Sequence, residues 1–301
     1  MNIKVGTRGS KLALIQTNWV IDVLKQRYPE IDFEVKVIKT KGDIIQHISL
    51  DKIGDKGLFV KEIEKQLIEG EIDMAVHSMK DMPSYLPDEL KFASIPERED
   101  PRDVLILKKE YKSLEDLPKG AKIGTGSKRR KFQLLKYRPD LNVVPIRGNI
   151  DTRIRKIEEE NLDGIVLAAA GVLRANLKHR ISCYLPIEVV IPAPAQGALA
   201  IEIRKDDVEL EKLIDSIRDE NTELQVAAER AFLEGIEGSC HIPIGAYCNI
   251  DGESIKLTGL FGDEDGERLI VKSIDGDIYN PRELGLKLSK VILEEYENYG
   301  R

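Results

Sequence analysis

The chain has 301 residues, enough for two or three domains each with its own hydrophobic core. Its composition, 42% hydrophobic and 33% charged with 5% aromatic residues, excludes a disordered chain, and a formal charge of −7 excludes general attraction to nucleic acid or an anionic membrane. No apolar run approaches the ~20 residues that cross a bilayer, the N-terminus lacks a basic-then-apolar leader pattern, and three cysteines fit reduced thiols better than a disulfide framework, so a cytoplasmic location is expected.

In chain order, IKVGTR reads as a short strand, and SKLALIQTNWVIDVLKQRYP sets Leu12, Ile15, Trp19 and Val23 at helical spacing, with Ser10 as N-cap and Pro29 as a stop. The pattern returns as the strand FEVKVIKT, a glycine-containing loop from Gly42 to Gly57, the helix GLFVKEIEKQLIEG and the strand DMAVHS. Alternation of this kind predicts a mostly parallel sheet faced by helices. SIPEREDPRD, with its prolines and dense charge, marks a boundary. Beyond it DVLILK, AKIGTGS, the helix KRRKFQLLKYRP, the strand NVVPIRG, the helix DTRIRKIEEENL and the apolar DGIVLAAAGVL form a second α/β unit. The proline-rich VVIPAPAQGALAIEIR leads into a strand-like run that either extends the second unit or returns to the first.

After about residue 216 comes an amphipathic helix, TELQVAAERAFLEGIEG, and then strands in HIPIGAYCNI, ESIKLTGLFG and ERLIVKSI, the last two separated by a turn containing Asp265 and Gly266. The tail has Asn280 as N-cap, Pro281 at the first helical position and Leu284, Leu288, Val291 and Glu295 along helical rows. This is a small α/β domain built on an antiparallel sheet.

Ligands of open parallel sheets sit outside the carboxyl ends of the strands. Four polar clusters fall at such ends: GTRGS, HSMKD, GTGSKRR and IRGNIDTR. They present Arg8, Ser10, Ser78, Lys80, Asp81, Thr125, Ser127, Arg129, Arg130, Arg147 and Arg153. Ser127 at a helix N-terminus followed by two arginines favours an anion, and repeated arginine suits several carboxylates. The phosphate-loop pattern is absent. Asp81 after a strand is more often a cap or an ion-pair partner, as His77 is more often an ordinary sheet-end histidine. A single carboxylate among cations is nevertheless suited to hold a proton or stabilise a cation. Cys240 lies on a turn in EGSCHIPIG where a thiol is reachable, while Cys183 and Cys248 sit in apolar runs and read as structural. No second Cys or His stands at ligand spacing, so no metal is expected.

TRGSKLALIQT, KGDII, DKGLFVKEIE, DMAVHSMKDMP, REDPRD, GTGSKRRKFQL, IRGNIDTR, LAAAGVLR, PAPAQGALAIE, AAERAFL and GSCHIPIGAY, in this order, resemble the porphobilinogen deaminase (hydroxymethylbilane synthase) family along almost the whole chain. The resemblance implies an α/β fold of three domains. Two are of the periplasmic-binding-protein type with the active cleft between them, residues 1–97 with 194–216 and residues 98–193. The third, residues 217–301, is small, with an antiparallel sheet. It implies a transferase that joins four porphobilinogen molecules head to tail, releasing ammonia each time, to give 1-hydroxymethylbilane for tetrapyrrole (haem) biosynthesis. The primer is a dipyrromethane cofactor held through a thioether to Cys240.

By the same resemblance Asp81 assists ammonia loss, stabilises the resulting azafulvenium cation and later helps deprotonate the pyrrole α-carbon. Arg8, Ser10, Lys80, Thr125, Ser127, Arg129, Arg130, Arg147, Arg153 and Gln196 bind cofactor and substrate carboxylates, and the loop with Lys52, Lys56 and Phe59 is a lid. A monomer that passes its product to uroporphyrinogen III synthase is implied, with no nucleic acid and no membrane as partner. Gly126, Ala195 and Ser239 depart from common family residues without removing a charged or reactive group. The competing arrangement is a non-catalytic two-domain binding protein for a small polycarboxylate, in which Asp81 would be dispensable.

Overall fold

The computed structural model describes residues 2–40, 60–236 and 242–298. The chain gathers into two compact units, Met1–Arg98 with Ala198–Glu223, and Glu99–Gly197 with Leu224–Arg301. The first run comprises β1 (Asn2–Arg8), α1 (Lys11–Arg27), β2 (Asp32–Ile38), α2 (Lys61–Ile68), β3 (Met74–Ser78), a 3₁₀ turn at Met79–Asp81 and β4 (Leu90–Phe92). Then come β5 (Asp103–Leu107), β6 (Lys122–Gly124), α3 (Lys128–Tyr137), β7 (Asn142–Val144), α4 (Ile150–Glu159), β8 (Gly164–Ala168), α5 (Ala169–Arg174) and β9 (Cys183–Tyr184). The chain ends with β10 (Leu199–Arg204), α6 (Val208–Asp215), α7 (Glu220–Gly235), β11 (Ile244–Asp251), β12 (Ser254–Gly262), β13 (Leu269–Asp277) and α8 (Pro281–Asn298).

The sheet of the first unit has the order β2-β1-β3-β10-β4, with β1 parallel to β2 and β3, and β10 antiparallel to β3 and β4. The first sheet of the second unit, β7-β6-β8-β5-β9, repeats this plan, with β6 parallel to β7 and β8, and β5 antiparallel to β8 and β9. In each sheet the reversed strand is one that the chain adds after changing units. The run whose pattern alone fits either unit, LAIEIR, returns to the first sheet, paired from Leu199↔Ser78 to Ile203↔Met74. The third sheet, β11-β12-β13, is antiparallel throughout, as expected of the tail.

Strand β3 is buried on both faces, which is why MAVHS shows no polar alternation. Met74 and Val76 join Leu199, Ile201 and Ile203 under α1 and α6, and Ala75 packs with Ile63 and Leu67 of α2. In the second unit Leu105, Ile123 and Val166 pack with Leu134 of α3, and Val104, Ile165 and Leu167 with Ile154 and Ile157 of α4. The antiparallel sheet closes on Phe232 of α7 and Leu284, Leu288 and Ile292 of α8. Each such fully buried side chain contributes about 1.5–3 kcal/mol of hydrophobic stabilisation.

The structure refines several local expectations. Leu12, Ile15, Trp19 and Val23 are only partly buried on α1; the covered face runs through Val20, Ile21 and Leu24, and begins with Gln16 and Thr17, which are buried because they bond to strand ends. NVVPIRG is strand only to Val144, because Pro145 has no N–H to continue a ladder. DGIVLAAAGVL divides into β8 and α5, and α6 and the short β4 and β9 carried too weak a pattern to be anticipated. On α8 the buried row is Leu284, Leu288 and Ile292, with Val291 and Glu295 beside it. Among the described residues no helix is long and apolar enough to cross a membrane.

Candidate active site

Parallel neighbours β1 and β3 end side by side, in register from Val5↔Met74. The exits therefore meet. Ser10, with extended backbone, caps α1, its Oγ accepting from Ala13 N–H at 3.2 Å. After β3 the chain makes a single 3₁₀ turn, in which the buried Met79 and Met82 are anchors, leaving Lys80 half-buried and Asp81 exposed between them. Met79 N–H also donates to Ala198 O of the returning segment at 3.0 Å. One open pocket is lined by Arg8, Ser10 and Gln16 from the first exit and by His77, Ser78 and Asp81 from the second. The Gln16 amide holds the Ser78 hydroxyl from two sides, Nε2 donating at 2.9 Å and Oε1 accepting at 3.2 Å. His77, Ser78 and Asp81 of HSMKD thus stand where a buried strand reaches a pocket.

The second unit assembles the guanidinium groups. Thr125 and Ser127 follow β6; Thr125 Oγ1 accepts from Ser127 N–H at 3.2 Å, and Ser127 Oγ caps α3 through Arg130 N–H at 3.4 Å. Gly126 is needed here for close approach, since a Cβ would stand 2.9 Å from Ile146 O. Arg129 and Arg130 are each 6% exposed and both turn onto Asp103, which is fully buried. Arg129 Nη1 donates to Asp103 Oδ2 at 2.8 Å and to Ile191 O at 2.6 Å. Arg130 donates to Asp103 Oδ1 through Nη2 at 2.7 Å and Nε at 3.1 Å, and Gln196 Nε2 reaches the same oxygen at 2.9 Å. Burial pushes the Asp103 carboxyl up, but the two guanidinium charges outweigh it and hold it far below the usual carboxylate range.

Arg147 and Arg153 flank the N-terminus of α4, which Asn149 caps by accepting from Thr152 N–H at 2.9 Å. Arg153 Nε donates to Gly148 O at 2.7 Å, and among the described residues no carboxylate pairs with it. Burial, and then the charges of Arg130 and Arg147, depress its guanidinium to about 10. Two buried guanidiniums share the one Asp103 carboxylate, and Arg153 pairs with no carboxylate among the described residues, so these arginines fit a ligand bearing carboxylates and with it a dipyrromethane with acidic arms.

Cys240, and Lys52, Lys56 and Phe59 of the expected lid, lie outside the described residues. Cys248 is buried in the third sheet, and Cys183 is half-buried with its thiol pushed up by burial. Sequence reasoning missed Asp103, although an acid opening the apolar run DVLILK was a usable signal. It also missed Glu229, a fully buried residue of α7, whose carboxylate accepts from Ala195 N–H at 2.6 Å and Cys248 N–H at 2.9 Å. That bond ties the PAPAQG loop to the third sheet where Ala195 takes a positive φ of 59°.

Residues 3–212 match the family model described as porphobilinogen deaminase, dipyromethane cofactor binding domain, and residues 223–294 match the model of the porphobilinogen deaminase C-terminal domain. The chain is 70% identical over 299 residues to the porphobilinogen deaminase of Clostridioides difficile (strain 630), with 99% of each chain covered. It is 61% identical to that of Clostridium novyi (strain NT), covering 98% of this chain and 99% of the relative. The enzyme of that name from Brevibacillus brevis (strain 47) is 52% identical, covering 97% of this chain and 94% of the relative. With family models spanning most of its length and such relatives matched from end to end, the chain belongs to the porphobilinogen deaminase family.

Proposed function

We propose that two residue groups carry the family's reaction in this chain, the head-to-tail joining of four porphobilinogen molecules with loss of ammonia to give 1-hydroxymethylbilane. The observation that carries the reading is the pocket in which Asp81 is exposed beside Arg8 and Ser10 at adjacent strand ends. A carboxylate there stabilises positive charge as the C–N bond breaks and ammonia leaves, and it accepts the α-carbon proton once the C–C bond has formed. Arg8, Ser10 and Lys80 orient the acidic arms of the substrate.

The bound dipyrromethane supplies the pyrrole carbon to which the first substrate is joined. Thr125, Ser127, Arg130, Arg147, Arg153 and Gln196 hold and orient its carboxylates, with Arg129 fixing Arg130 through their shared Asp103. Cys240 is its attachment point, through a thioether, and Lys52, Lys56 and Phe59 belong to the lid. The reading includes the division into residues 1–97 with 194–216, 98–193 and 217–301, and a cytoplasmic monomer that hands its product to uroporphyrinogen III synthase.

Asp81→Asn tests the assignment. Turnover of porphobilinogen should fall by about 10²–10⁴, while intact mass still shows an adduct of two condensed pyrrole units, which Cys240→Ala lacks. Full activity of Asp81→Asn would refute the role of this carboxylate and favour a pocket that only binds. An adduct that persists on Cys240→Ala would refute the attachment point.

A further inference from the structure

Side chains alternate along β3, so His77 shares the face of Ala75 rather than that of Met74 and Val76. That face is covered by α2 and is otherwise apolar, built from Ile38, Ile63, Leu67, Ile72 and Leu90. Three titratable groups are nevertheless placed in this unit's interior: His77 at 6% exposure, Glu202 of β10 at 0% and Glu64 of α2 at 8%. His77 Nε2 lies 3.1 Å from Glu202 Oε2, and Glu202 Oε1 is buried without a hydrogen-bond partner among the described residues. The charged groups facing Glu64 are Glu202 from β10, His77 from β3 and Lys61 from its own helix. His77 also lines the pocket that holds Arg8 and Asp81.

Burying two carboxylates around one imidazole is costly, and apolar residues would fill the space more stably. Burial, followed by the charge of Glu202, pushes the Glu64 carboxyl up to about 6, with His77 and Lys61 opposing. Glu64 therefore changes charge within the working range of an enzyme.

We propose that Glu64, Glu202 and His77 form a positioning relay, in which ionisation of Glu64 places negative charge behind the Asp81 pocket and speeds the step that creates positive charge there. The inference rests on the reading of Asp81 given above. No covalent bond is made or broken in the relay; His77, whose Nε2 lies 3.1 Å from Glu202 Oε2, links the buried carboxylates to the pocket that it lines. Glu64 is neutral below its raised value and anionic above it, so turnover rises as pH increases through about 6.

The test combines kcat between pH 5 and 8 for the wild type, Glu64→Gln and Glu64→Asp with the ¹⁵N shift of the His77 imidazole over the same range. The wild type should show a step near pH 6 in both readouts. Glu64→Gln should lose the step and run on the order of tenfold slower at pH 8, the scale on which one nearby unit charge acts at an effective dielectric near 20. Glu64→Asp should keep the step. A Glu64→Gln enzyme that retains both steps overturns the proposal. Should that variant not fold, absence of the step from the wild-type His77 ¹⁵N shift overturns it alone. Normal turnover by Asp81→Asn would instead refute the role of Asp81, and the imidazole ¹⁵N shift would still decide whether the relay exists.

Discussion

Asp103→Asn removes one charge and leaves two guanidiniums buried. In the wild type the carboxylate receives hydrogen bonds from Arg129 at 2.8 Å, Arg130 at 2.7 and 3.1 Å and Gln196 at 2.9 Å. Asparagine keeps one acceptor oxygen but presents an NH₂ to a guanidinium. Breaking a buried ion pair from one side costs about 3–5 kcal/mol, and here two cations lose their partner, so the upper end, about 5 kcal/mol, is expected. That is a third or more of the ~5–15 kcal/mol that stabilises an ordinary domain. For a unit of this size it lowers the melting temperature by roughly 10–20 °C. Urea denaturation followed by circular dichroism measures the difference directly. The pH dependence gives a second check. The folded carboxyl titrates below its unfolded value of about 3.9, so its contribution is complete above that value and is lost as pH falls through the folded one. The gap between wild type and variant should therefore hold near neutrality and narrow below about pH 4. A loss under about 1 kcal/mol, the scale of an exposed pair, would refute the argument that Asp103 offsets the burial of both arginines.

Two further substitutions test packing at close quarters. Gly285→Ala on α8 gains up to about 1 kcal/mol of helix propensity, but its Cβ would run into Ala228 O of α7. Overpacking of about 1–3 kcal/mol should win, read as a lower urea midpoint; a stabilised variant would show that the two helices can separate without cost. Ala195, at φ 59°, carries a left-handed penalty that glycine avoids, against greater freedom of glycine in the unfolded chain and one lost buried methyl. These terms nearly cancel, so Ala195→Gly should shift stability by less than about 1 kcal/mol in calorimetry, and a larger loss would mean that the methyl packs better than its backbone suggests.

Much of the fold was legible because its signals are local. Ser10 and Ser127 cap the helices they were expected to cap, Pro281 opens α8, and Gly266 takes a positive φ in the turn between β12 and β13. The strand-exit clusters were legible for the same reason: a polar run directly after a buried strand marks the carboxyl edge of a sheet. Ordered motifs added the family, the reaction and the cofactor, which no periodicity carries.

Periodicity could not say where LAIEIR pairs, because a short apolar strand satisfies either of two sheets equally well by composition; the family resemblance pointed to the first domain, and the folded chain pairs it with β3. Tertiary structure also separated the arginines, which look alike in GTGSKRR and IRGNIDTR. Arg129 and Arg130 are drawn inward by Asp103, 26 and 27 residues away in sequence, whereas Arg153 faces other cations. His77 likewise acquires its meaning from Glu202, 125 residues on. The sequence by itself determined which segments become strands and helices and which residue types stand at their ends, since those depend on neighbours a few positions apart. Which charges are paired, and which are left for a ligand, depends on distances between segments that only the folded chain brings together.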